Sequence, residues 1–217
     1  MSEALLDNDI VIKACRYSLA SETLSSLRNL GYEPTILMAA RFVVEDRLRR
    51  HSPAASSAMG VFEPFLAECR SVEPTDSEVE IAAAFEAAAQ TLNLELDVGE
   101  SLLLAILIER QASLILTGDK RAIRAIEAIA SDRIQRAIAC LEQVFVTLNF
   151  DWGTPLIQTR VCGDQAADSA LTNSYGCRSG GSSAEAVADG LRSYIEHLRQ
   201  SCARTLIESV GLPRLVP

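Results

Sequence analysis

Two histidines, His51 and His197, are all that this chain of 217 residues contains. It also lacks a G-x-S-x-G elbow, so a serine or cysteine hydrolase built around a histidine base is disfavoured. No C-x-x-C pair occurs among Cys15, Cys69, Cys140, Cys162, Cys177 and Cys202, which argues against a zinc site made of spaced thiolates. Scattered at apolar positions of helical patterns, these cysteines are expected to be reduced core residues. Long apolar runs are missing as well. The longest, residues 102–108, falls far short of the roughly 20 residues that span a bilayer. The start, Met-Ser-Glu-Ala, has neither a basic n-region nor an apolar h-region, so a cytoplasmic protein with no membrane partner is expected. Basic charge is scarce: 20 Lys and Arg face 29 Asp and Glu, which weighs against a broad electropositive face that coats nucleic acid. Gly176, Gly180 and Gly181 match neither a Walker loop nor G-x-G-x-x-G. There is no internal repeat.

What the chain does have is acid placed at the ends of its elements. In residues 97–123, DVGESLLLAILIERQASLILTGDKRAI, Glu100 falls in the first turn of an apolar helix. Leu114-Ile115-Leu116-Thr117 has the length and composition of a buried parallel strand. Asp119 then lies just past the C-terminal end of that strand, where open α/β sheets bind their ligands. Asp97-Val98-Gly99-Glu100 is also a D-x-x-E capping box, which would account for both acids without any chemistry. Upstream, residues 4–12 read as a first strand ending near Asp7, with Asp7 and Asp9 at its edge; Asp7-Asn8-Asp9 equally suits a solvated turn.

Elsewhere the pattern is mainly helical. Leu24, Leu27 and Leu30 mark a helix that stops at Gly31, residues 34–38 read as a second strand, and residues 39–50 as a helix. On that helix Glu45 falls close to Phe42 and Val43 in projection, which would point it inward, while Asp46 pairs outward with Arg49 or Arg50. Residues 54–72 are loosely helical, and Thr75 with Glu78 is a capping box that opens another amphipathic helix. These two helices read as packing elements that could form a lid. Residues 120–130 and 133–148 continue as helices, and residues 151–160 read as a connection or edge strand. Residues 173–183 read as a mobile Gly- and Ser-rich loop. Asp164 and Asp168, one turn apart, are of the kind that usually faces water. Residues 184–210 carry one apolar stripe suited to docking on the core or on a second subunit. Arg47, Lys120 and Arg121 are candidates to hold phosphates if they converge on the acids.

Oxygen-only donors in this number suit Mg²⁺ or Mn²⁺, and carboxylates crowded together raise one another's pKa until a cation neutralises them. At these residues the chain resembles the PIN-domain family. LLDND at 5–9 is similar to the family's first strand with its metal-binding Asp, Glu45 lies where a helical Glu is expected, and GESLLLA at 99–105 resembles the helix start that supplies a third acid. LILTGD at 114–119 matches the strand followed by T-x-D that supplies the fourth. The resemblance implies a helix-rich, three-layer α/β/α fold with a central parallel sheet over residues 1–150, including a helical insert at 53–92. Residues 151–217 would then form a C-terminal helical extension. It further implies that Asp7, Glu45, Glu100 and Asp119 are catalytic metal ligands for Mg²⁺ or Mn²⁺, with Asp9 in support. The implied activity is that of a ribonuclease acting on single-stranded RNA, and the implied protein partner is antitoxin-like; a second copy, through the C-terminal helix, is expected from the apolar stripe alone.

Two other readings compete with this one. Asp7-Asn8-Asp9-Ile10-Val11 also resembles the D-x-D-x-[TV] motif of haloacid-dehalogenase-type phosphatases, with Asp7 as nucleophile. That reading leaves Glu100 unexplained and finds no further acid in residues 120–126. The third is a catalytically silent PIN-like protein that binds or assembles with a partner.

Overall fold

The apolar run before Asp7 forms β1 (Ser2–Leu6), and the chain continues through α1 (Asn8–Arg16), α2 (Ala20–Asn29), β2 (Tyr32–Leu37), α3 (Ala40–His51), α4 (Ala55–Glu68) and β3 (Arg70–Val72). Then follow α5 (Asp76–Thr91), α6 (Val98–Arg110), β4 (Leu114–Thr117), α7 (Lys120–Ala130), β5 (Ile138–Cys140) and α8 (Leu141–Trp152). The C-terminal part holds α9 (Thr154–Gly163), α10 (Ser169–Ser174), a 3₁₀ turn at Cys177–Ser179 and α11 (Ala184–Arg199). This computed structural model describes residues 2–51 and 55–215, so the chain break expected at Ser52-Pro53 lies outside the described residues.

The five strands form one all-parallel sheet in the order β3-β2-β1-β4-β5. Parallel strands need crossover helices, and right-handed crossovers reverse face when the strand order reverses. Accordingly α1–α4 and α8 pack together on one face, and α5–α7 on the other. The result is the expected helix-rich, three-layer α/β/α architecture. The order reverses between β1 and β4, so the crevice past their C-terminal ends is the topological switch point. Among the described residues no helix is long and apolar enough to cross a membrane.

Several local expectations are corrected. Residues 70–72, read as helix, form an edge strand, because β2 offers a free edge to three residues too short to show a period. The helix expected at 133–148 is instead a turn, then β5, then α8. Ile138, Ala139 and Cys140 are fully buried against β4, and that pairing overrides local propensity. Residues 154–163 form a helix rather than an edge strand, with Pro155 in its first turn and Gly153 at φ +85° absorbing the corner from α8. The last helix ends at Arg199 rather than continuing to 210, because Leu206 is drawn into a parallel bridge with Ile138 that covers the β5 edge. Its stripe of Val187, Leu191, Ile195 and Leu198 is buried in this chain's own core.

The C-terminal part is tied in by charge and by sulfur. Asp164 and Asp168 do not face water: Asp164 accepts two hydrogen bonds from Arg16, and Asp168 holds Lys13 at 2.7 Å. Cys162 and Cys177, expected to be reduced, form a disulfide, while Cys15, Cys69, Cys140 and Cys202 are free. The loop expected to be mobile is pinned by that bridge and by Gln158, which donates to the carbonyls of Tyr175 and Ser182.

A bridge spanning 15 residues is worth about 3 kcal/mol. Thiol titration of the unfolded, unreduced protein should therefore find four free thiols, and the Cys162→Ala/Cys177→Ala variant should melt roughly 6–12 °C lower by calorimetry.

Candidate active site

At the switch point β1 and β4 end side by side, and the Asp7 N–H donates to the Leu116 carbonyl at 3.0 Å. Each strand passes into a helix within one or two residues, so the last residue before each helix must cap it. Asp7 caps α1 by accepting the Asn8 N–H at 2.7 Å. Asp119 caps α7 by accepting the Arg121 N–H at 2.7 Å. Short acidic side chains suit such positions because they satisfy orphan N–H groups and oppose the positive end of the helix dipole.

Thr117 joins the two ends. Its buried hydroxyl donates to Asp7 Oδ2 at 3.0 Å and accepts the Asp119 N–H at 3.1 Å, so one side chain sets the spacing of both acids. From a third element, Asp97 and Glu100 form the reciprocal capping box of α6: Glu100 N–H reaches Asp97 Oδ1 at 2.9 Å, and Asp97 N–H reaches Glu100 Oε2 at 3.0 Å.

Asp7, Asp9, Glu100 and Asp119 all line one cleft of about 420 Å³, together with Glu95, Asp97, Arg47 and Arg121. Burial, with Asp9 nearby, raises Asp7 to about 6 despite its bonds to Thr117 and Asn8. Burial likewise raises Glu100 to about 8, against the stabilising Asp97 N–H. For Asp119 burial pushes the same way, but its bonds to Arg121 outweigh it and hold the carboxyl below its ordinary value.

The remaining candidates divide. Asp9 sits under the β4–α7 turn and holds Lys13 at 2.6 Å. Arg47 lines the cleft. So does Arg121, already paired with Asp119 at 3.0 Å and Glu95 at 2.6 Å. Lys120 turns away from the cleft, to buried Glu142 at 2.5 Å and the Tyr194 ring. Glu45 is not brought to the other acids. It pairs with Arg49 at 2.6 Å, because the buried stripe of α3 is Ala40, Val44 and Leu48, while Phe42 stands 70% exposed. The inward turn expected from Phe42 and Val43 therefore does not occur, and Arg47 takes the cleft position instead.

Lys13 and Thr117 are the site residues that spacing arguments passed over. The i,i+4 relation of Asp9 to Lys13 was a readable signal for the first.

As donors, Asp7, Glu100 and Asp119 are hard oxygens that suit Mg²⁺ or Mn²⁺, and two of them are destabilised as anions until a cation joins them. Among the described residues, however, no three acidic, His or Cys side chains already stand close enough together to hold an ion. Glu100 and Asp119 would have to turn from their cap and Arg121 bonds.

No family model matches the chain, and none of the curated proteins does. Among solved structures it is similar to the crystal structure of VapBC2 from Rickettsia felis bound to a DNA fragment from their promoter. That likeness has 12% identity over 59% of this chain and 93% of that chain, with a TM-score of 0.47. A likeness of that size carries no argument about activity.

Two outcomes follow from this geometry. Asp7 and Glu100 bind protons more tightly folded than unfolded, so their stabilisation is complete below about pH 4 and is lost as pH rises through about 6 and about 8. Without added metal, the melting temperature should fall between pH 5 and pH 8. Glu100→Gln, which keeps an oxygen for the Asp97 N–H, should flatten the upper half of that fall. At Gly118 a Cβ would stand 1.9 Å from Asp9 Oδ2, so Gly118→Ala should cost about 1–3 kcal/mol in urea unfolding. That cost should shrink in an Asp9→Ala background; an equal cost there would mean that the clash lies elsewhere.

Proposed function

We propose that this protein hydrolyses phosphodiester bonds, in single-stranded RNA, using Mg²⁺ or Mn²⁺ held by Asp7, Glu100 and Asp119. The observation that carries the reading is that Asp7 and Glu100, from separate elements, share one open cleft at the switch point while burial penalises both as anions. A divalent ion there would supply charge neutralisation, an acidified water and stabilisation of the phosphate oxygens. The choice of RNA rests on the motif resemblance of residues 5–9, 99–105 and 114–119.

The chain's own residues have distinct tasks. Thr117 orients Asp7 and fixes the Asp119 backbone. Glu100, protonated near neutrality, releases its proton when a cation takes its place, so metal affinity rises with pH. Arg47, at the mouth of the cleft, receives a substrate phosphate. Arg121 competes with the ion for Asp119 until substrate or metal draws one of them away.

A second reading is favoured by the same bonds. Asp7 and Asp119 each cap a helix, Glu100 completes the capping box of α6 with Asp97, and Glu45 pairs with Arg49, so each of these acids has a structural role. A silent PIN-like binding protein needs nothing more. The phosphatase reading is less well supported, because Asp9, its acid/base, is held by Lys13.

Mn²⁺ should raise the melting temperature by several degrees, with tighter binding at pH 8 than at pH 6, and should support cleavage of single-stranded RNA. Asp119→Asn should abolish cleavage while keeping the fold, since Asn also caps helices. Neither stabilisation nor cleavage would leave the silent reading standing.

A further inference from the structure

We infer that the substrate is an oligonucleotide strand that runs from the acidic cleft past Arg47 into a second cleft lined mainly by α1, with Ala167 from the C-terminal part of the chain. This rests on the phosphodiesterase reading and adds to it a subsite and a minimum substrate length. The second cleft, of about 320 Å³, is lined by Asp9, Ile12, Lys13, Arg16, Arg47 and Ala167. Asp9, Lys13 and Arg47 also line the first, so the two lie side by side with Arg47 at their junction.

The two clefts differ in charge. Six acids face three cations in the first, whereas one acid faces three cations in the second. Of those three cations, Lys13 is held between Asp9 and Asp168, at 2.6 and 2.7 Å. Arg16 is held by Asp164 through two bonds, at 2.8 and 2.9 Å. Among the described residues Arg47 has no ion-pair partner, which leaves it as the cation available to an anion. A guanidinium in that position suits a phosphate.

Ile12 and Ala167 make the remaining wall apolar. A second phosphate would gain nothing there, but a sugar or base face would. Single strands are tracked without base readout by positive charge along the backbone together with contacts to the base faces; here the charge is Arg47 and the contact is aliphatic, from Ile12 and Ala167. A small phosphate ester would fill only the first cleft, where the excess of acid opposes it. A strand engages the second cleft as well. Ala167 lies between Asp164 and Asp168, so the ion pairs that dock the C-terminal part also set this wall.

The test compares a labelled single-stranded RNA of about ten nucleotides, the same sequence as DNA, and bis(4-nitrophenyl) phosphate, each with Mn²⁺. Binding is measured on Asp119→Asn protein by fluorescence anisotropy across a salt series. In Ala167→Glu, checked for unchanged melting, the ratio of oligonucleotide to small-diester kcat/KM should fall about tenfold, about 1.4 kcal/mol. Arg47→Ala should lower the salt slope of binding by about one. Equal losses on long and short substrates, or none on either, would overturn the second cleft while leaving the hydrolase reading intact. Oligonucleotide binding that falls in Ala167→Glu as well as in Arg47→Ala, without cleavage of any substrate, would uphold the subsite and overturn the hydrolase. Equal effects on RNA and DNA would show that the subsite reads the strand and not the sugar; an effect on one alone names its source.

Discussion

Lys13 is a buried cation, and the cleft depends on its being neutralised from two sides. Its side chain is only 9% exposed and stands 2.6 Å from Asp9 and 2.7 Å from Asp168. An ammonium taken out of water alone would cost several kcal/mol. Burial does pull its pKa down, but the two carboxylates outweigh that and leave it above the ordinary lysine value. Asp9 comes from the first turn of α1 and Asp168 from the cap of α10, so the interaction fixes the start of α1 to the C-terminal part. Arg16 and Asp164 repeat the link one turn along α1. Asp9, held in this way, also packs against the Gly118 backbone, where nothing larger than hydrogen fits. Strand ends, first helix and C-terminal wall are thereby set by one network.

Around that network three helices, α1, α6 and α7, begin at the same cleft. Their N-terminal N–H groups call for acceptors, and Asp7, Asp97 with Glu100, and Asp119 supply them. Helix dipoles favour those negative charges, whereas burial and mutual proximity oppose them. The balance differs by residue: Asp119, bonded to Arg121, remains acidic, while Asp7 and Glu100 are pushed up. A site in this condition has two ways to relax, a proton or a cation. The same acids can therefore serve as plain caps or as ligands, and static geometry favours the caps while the electrostatics favour a cation.

Much of the architecture was legible where the signal was local. Leu114 to Thr117 had the composition of a buried strand and is one. The Thr75–Glu78 and Asp97–Glu100 boxes are present as written, and Asp7 and Asp119 stand just past their strands. Three of the four acids expected as catalytic ligands, Asp7, Glu100 and Asp119, do share a cleft, and the supporting Asp9 lines it too. Glu45 does not, because two exposed apolar residues, Phe42 and Val43, implied the wrong rotation of α3. Ile138 to Cys140 and Arg70 to Val72 read as helix, since three residues show no period of their own.

The sequence by itself determined the acids at strand ends, the helix caps and the alternation of strand and helix that requires a parallel sheet. Each of these depends on neighbours within a turn or a few residues. Only the tertiary structure decided which acids meet, that Lys13 and Arg16 are held by Asp168 and Asp164, that Lys120 turns to Glu142, and that Arg47 stands between two clefts. The Arg16–Asp164 bond spans 148 residues, and a contact at that separation leaves no periodic trace in either segment. It exists because the fold has already brought α1 and the C-terminal end of α9 together.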